Sequence, residues 1–260
     1  MKTSWNAWFG IGLVIALGAP SPSSAQAKAV VEVPLTVRDG QFLVPVRGSD
    51  GTEFTFVLST GSTTTVLSAR AAKALEGQTE VMLGGASVPL LGSVILPDAQ
   101  LRVGGRSNDG MVGANTLNQF DVLIDAPAGR LLLKPVGPEV SWPGVALSPP
   151  VRLRVYHGMV LGLDVAMNGH SFGAILDVGM ATLAVNAAAG AKAEIDSEDV
   201  AALQVGGRTF ADLPVRVIDH PVFAQADPNG AGFVLVGAPL AHRCAVALSW
   251  LHAEMRTCRP

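Results

Sequence analysis

"FVLSTGSTTTVLS", residues 56–68, and "AILDVGMATLAVN", residues 174–186, are one piece of chain written twice. A shift of 118 lays Phe56 on Ala174, Ser59 on Asp177, Gly61 on Gly179 and Ser68 on Asn186. Each copy is an apolar run of strand length, a turn carrying glycine, and a polar stretch that returns to apolar residues. The same shift puts Asp50-Gly51 on Asn168-Gly169 and Phe54 on Phe172. Asp-Gly and Asn-Gly tolerate the positive φ of a hairpin turn, so each copy is expected to open as a hairpin feeding a buried strand.

Further along, the shift becomes 124, laying "MVGANTLNQFDVLID" from Met111 on "LVGAPLAHRCAVALS" from Leu235. The six added residues fall between these anchors, around the glycine turns "LGGASV" and "VGGRTF", and are expected in surface loops, where length costs little entropy. Each copy closes with a second hairpin, "VLIDAPAGRLLL" and "AVALSWLHAEMRT". Helix is expected only at "SARAAKAL", "TLAVNAAAGAKA", "NTLNQF" and "PLAHRC". Between the copies Pro135, Pro138, Pro143, Pro149 and Pro150 mark a segment that resists regular structure. The organisation read from this is a leader over 1–27, one β lobe over 28–137, a Pro-rich connector over 138–149, and a second β lobe over 150–260.

Composition agrees with an all-β chain: 260 residues, 49% apolar and 15% charged, punctuated by 29 Gly and 17 Pro. A formal charge of −3, no basic run and one Tyr leave neither the electrostatic footprint nor the stacking platform of a nucleic-acid binder. Lys2, the apolar stretch from Trp8 to Leu17, and small residues near Ala25 and Ala27 predict a cleaved secretory signal peptide. A retained anchor is the alternative, disfavoured because the run falls short of the ~20 residues that span a bilayer. Export, to a periplasmic location, follows from that reading, with no membrane association after cleavage. Cys244 and Cys258 would then meet an oxidising compartment. They map onto Phe120 and Lys134, matched positions on the two arms of one hairpin, which favours a disulfide over two buried thiols.

These residues resemble a known family. Apolar-apolar-Asp-Thr-Gly-Ser/Ala, followed about fifty residues later by apolar-apolar-Gly, the set occurring twice, is similar to the pepsin-like aspartic peptidases; a single set marks the retropepsin-like domains. The resemblance implies a bilobal pepsin/retropepsin-like fold, two β lobes about a pseudo-twofold axis, with an extended peptide or protein segment in the cleft between them. It also implies one catalytic Asp per lobe and no cofactor. Two carboxylates about 3 Å apart cannot both ionise, so they share a proton and activate a water between them.

The sequence departs from that pattern in both lobes. Ser59 stands at the first Asp position, while Thr60, Gly61 and Ser62 fit. Asp177 and Gly179 fit in the second copy, but Val178 replaces the Thr and Met180 the small polar residue. The resemblance gives the Thr pair the task of cross-linking the loops, and gives the residue after Gly that of supporting the carboxylate. Val178 and Met180 have no hydroxyl for either task. The expectation is therefore an exported aspartyl-protease-like protein degenerate in catalysis. The alternative is a weak or unconventional aspartic endopeptidase using Asp177, alone with an ordered water or through a homodimer that brings two copies of it together.

Other candidates read as structural. Asp50, Asp109, Asp121 and Asp125 sit in or beside turns and strands. His157, His170, His220, His242 and His252 are scattered singly, no Gly-x-Ser-x-Gly elbow surrounds Ser59, and no His or Cys spacing suggests a metal. Gly84-Gly85, Gly104-Gly105 and Gly206-Gly207 read as hairpin turns rather than phosphate loops.

Overall fold

The computed structural model describes residues 30–259 other than 104, 157 and 197. The leader over 1–27 and His157 therefore lie outside the described residues.

In each lobe an outgoing strand, the site turn and a returning strand enclose a third strand. In the first lobe Glu53–Leu58 runs parallel to Gly110–Val112, which runs antiparallel to Val66–Ser68. In the second, His170–Leu176, Phe233–Val236 and Leu183–Val185 repeat the arrangement. The two shifts read in the sequence are realised pair by pair. Leu58 stands opposite Val112, and Leu176, 118 residues on, stands opposite Val236, 124 residues on from its counterpart. The hydrogen bonds repeat as well: Ser59 N donates to Val112 O at 3.0 Å, and Asp177 N to Val236 O at 2.9 Å. After each returning strand a short helix starts on a matched cap, Ser68 accepting from Ala71 N and Asn186 from Ala189 N. The stretch "TLAVNAAAGAKA" is thus strand up to Val185 and helix only from Ala187, because Asn186 takes the cap.

The lobes are joined by a six-stranded sheet, in the order Val31–Pro34, Arg130–Pro135, Phe120–Asp125, Val246–Ser249, Glu254–Thr257, Val151–Arg152. Leu123 pairs with Ala247, its own counterpart at shift 124, so the pseudo-twofold axis passes between them. One face of this sheet joins the core running through both lobes. The other is covered by the Pro-rich segment, whose Val140, Trp142 and Leu147 pack on Leu123, Leu132, Ala245 and Ala247. Lys134 fixes that cover, donating to Glu139 O and Ser141 O at 2.9 Å each, with its ammonium 5.2 Å from the Trp142 ring centre. Lacking regular structure, the connector is nonetheless a packed layer.

The lobes differ in closure. In the second, Glu198–Val205 pairs both with Arg208–Val217 and with Val160–Met167, so the sheet closes on itself. In the first, Val94–Leu96, the counterpart of the end of Arg208–Val217, pairs only with Val66–Ser68. Between the helix and the Gly84-Gly85 turn this lobe is four residues shorter than its copy, and a turn at Gly77, φ +81°, stands where the second lobe begins its covering strand. The six-residue growth of the repeat is thus partly strand, not all loop.

Cys244 and Cys258 form a disulfide with Cα atoms 5.5 Å apart. They are diagonal rather than facing, since Cys258 N donates to Ala245 O at 3.0 Å.

Candidate functional site

The site lies where the two turns meet on the axis. Ser59 Oγ donates to Asp177 Oδ1 at 2.8 Å. Two backbone amides converge on the same oxygen, Gly179 N at 2.9 Å and Gly61 N, from the opposite lobe, at 3.2 Å. Ser59 Oγ in turn accepts from Ser62 N at 3.1 Å, which orients its proton toward the carboxylate. Three donors thus converge on one carboxylate oxygen.

Both glycines are required by closeness rather than by φ. A Cβ on Gly61 would lie 2.5 Å from Asp177 Cβ and Cγ, and one on Gly179 would lie 2.8 Å from Ser59 Cβ. Behind them, Gly113 and Gly237 bring the enclosed strands against the turns; a Cβ at either would stand within 2.4 Å of a backbone carbonyl of the facing loop. The glycines of the repeated pattern thus let four backbone segments meet over a small area.

The cross-link beneath the pair is half present. Thr60 Oγ1, fully buried, donates to Leu176 O at 2.7 Å and accepts from Val178 N at 3.1 Å. Val178, also fully buried, offers a methyl group where the reciprocal hydroxyl would stand. Ser62 does not support the acid position with its side chain, as the resemblance had implied; its hydroxyl donates to Thr64 O at 2.7 Å, and only its amide serves Ser59. Met180 is a backbone participant, its carbonyl accepting from Ala238 N at 2.8 Å, matching Ser62 O and Ala114 N in the first lobe.

The other acids stay away from this pair. Asp109 braces the strand carrying Thr55, accepting from its amide at 2.8 Å and pairing with Arg70. Asp125 pairs with Arg130, Asp121 is buried 3.6 Å from Lys134, and Asp50 accepts from Thr52 within its own turn. No described histidine bonds Ser59: His242 bonds Gly40 O, His252 bonds Gly137 O, and His220 accepts from Val222 N; the Asp177 carboxylate alone accepts from its hydroxyl among the described residues. No described group of three His, Cys, Asp or Glu could hold a metal ion. First-lobe contacts cover the inner side of Asp177, so pairing two second lobes through it would require breaking them.

Sequence reasoning missed one participant. The turn at Asp39-Gly40, φ +48° and +78°, projects Gln41 to the other lobe, where its side-chain amide donates to Gly179 O. Gly40 itself abuts Ala181, which a Cβ would approach to 3.1 Å. An Asp-Gly dipeptide suits a hairpin turn, but nothing in the local sequence signals that this one crosses the axis.

No protein-family model matches the chain, and no curated protein matches it in sequence. Among solved structures, the aspartic proteinase from Irpex lacteus is similar, with a TM-score of 0.57 at 13% identity, covering 88% of this chain and 97% of that one. At such identity the likeness concerns the fold, which is that of an aspartic proteinase.

Proposed function

We propose that the chain is an exported aspartic-proteinase-like protein that holds an extended peptide segment in its interlobe cleft and does not cleave it. The fold supports a peptide as the occupant, and the leader supports export. The observation that carries the loss of cleavage is the 2.8 Å bond from Ser59 Oγ to Asp177 Oδ1. Proteolysis by this fold needs two carboxylates sharing a proton across a bound water. A hydroxyl carries no charge to share, and here it only donates to the remaining acid.

Incubating the purified protein with an unfolded substrate across acidic to neutral pH tests this. No cleavage is expected. Cleavage that disappears in Asp177→Ala would overturn the proposal. Ser59→Asp supplies the second acid; activity gained by it alone would identify position 59 as the missing element, and continued silence would place part of the loss at Val178 and Met180.

A further inference from the structure

Three donors occupy Asp177 Oδ1, but Oδ2 receives no hydrogen bond from any described residue. Asp177 is partly exposed, and Oδ2 is not among the buried atoms left without a partner, so it reaches solvent. No described Lys, Arg or His forms an ion pair with it. The turn residues around it, Gly61, Ser62, Thr63, Met180 and Ala181, are uncharged. The carboxylate thus joins the two turns through Oδ1 and leaves Oδ2 toward solvent with no partner and no counter-charge among the described residues.

We infer that Asp177 Oδ2 is the anchor for a cationic group, a primary ammonium or a guanidinium, on the peptide held in the cleft. Losing the second acid removed the shared proton, and with it the reason for the site to act on a neutral peptide bond. What remains is a single negative charge on the axis. Gly61 N, Gly179 N and Ser59 Oγ hold it in one orientation, so little ordering is left to be done when a cation arrives. An ammonium or guanidinium adds a Coulomb attraction that a neutral amide donor lacks, so the same oxygen discriminates a cation from an amide. The inference rests on the peptide-binding reading above and gives that peptide a chemical signature.

The test uses blocked oligoalanine octapeptides with one central residue, Lys, Arg, Gln or norleucine, titrated into the protein by fluorescence polarisation. In parallel, n-butylammonium chloride is titrated while the Gly61 and Gly179 amides are followed by NMR. Hydrogen bonds to charged groups contribute about 1.5–3 kcal/mol, so the Lys and Arg peptides should bind roughly 10- to 150-fold tighter than the norleucine peptide. Asp177→Asn should erase that difference. In the unsubstituted protein the preference should shrink as salt is raised, a readout that does not depend on the variant folding. Equal affinity for all four peptides would overturn the anchor and leave the peptide cleft standing. If no peptide binds but butylammonium shifts the two amides only when Asp177 is intact, the anchor stands and the peptide reading falls. No response to either overturns both.

Discussion

Val178 stands where the other copy carries the Thr60 hydroxyl, and Thr60 shows what that hydroxyl holds. Thr60 Oγ1 satisfies two backbone groups of the second lobe in a site closed to water. Thr60→Val keeps the shape and leaves a buried carbonyl and amide unpaired, each costing about 1–3 kcal/mol. Denaturant unfolding should therefore show a large loss of stability, and a loss under about 0.5 kcal/mol would mean these bonds are not maintained in solution. Val178→Thr runs the other way: it restores the reciprocal pair and should leave stability equal or raise it by about 0.5–1.5 kcal/mol. A marked destabilisation would show that the first-lobe backbone no longer presents the matching groups. Gly61→Ala has no such route to relief, because its Cβ would fall 2.5 Å from Asp177 Cβ. Overpacking of this kind costs about 1–3 kcal/mol, which a thermal melt reads. The turns were legible as turns from "STGS" and "DVGM", but Ser62 was misplaced, since which oxygen a free-rotating hydroxyl meets is decided by the loop around it.

The elements flanking the site carry the asymmetry between the lobes. Val94–Leu96 has a neighbour on one side only, and Val94, Ile95 and Leu91 are 48%, 61% and 90% exposed. An apolar edge of this kind is a template for pairing with another chain. Ile95→Lys should reduce concentration-dependent association in light scattering while leaving the melt unchanged, and a lowered melt would show the side chain to be packed after all. The hairpin loops differ too: Asn168-Gly169 is a two-residue turn, whereas Arg47 pairs with Glu53 across a five-residue loop organised by Asp50. The Thr52 amide, then the Thr52 hydroxyl, hold the Asp50 carboxyl below its ordinary 3.8. A carboxyl lowered in the folded state supports its turn above that ordinary value and loses the support as pH falls through the lowered one. An NMR titration should therefore place the Asp50 midpoint below that of the same residue in a short peptide; equal midpoints would remove the claim. Local sequence signalled both hairpins, yet the missing cover of the Val94–Leu96 edge depends on four residues absent elsewhere, which no local pattern expresses.

At the scale of the whole molecule, the repeat made the fold readable, because two copies related by fixed shifts must present the same pairings, and Leu58–Val112 and Leu176–Val236 do. The packing of the connector was not readable, since proline content excludes a strand without saying what the segment covers. One covalent tie acts at this scale. Cys244–Cys258 closes a loop of sequence separation 14 at the joint between lobes. A loop of that size contributes about 3 kcal/mol in chain-entropy terms, so a reductant should lower the unfolding midpoint clearly, and an unmoved midpoint would show the sheet to be sufficient alone. Finally, the Ser59–Asp177 bond and the Leu123–Ala247 pair lie on one axis, the first between the turns and the second within the joining sheet. Two attachments along one line suppress rocking of one half against the other. If the interlobe face holds a peptide as proposed, that face is in place beforehand, and the peptide should associate without waiting for a conformational step.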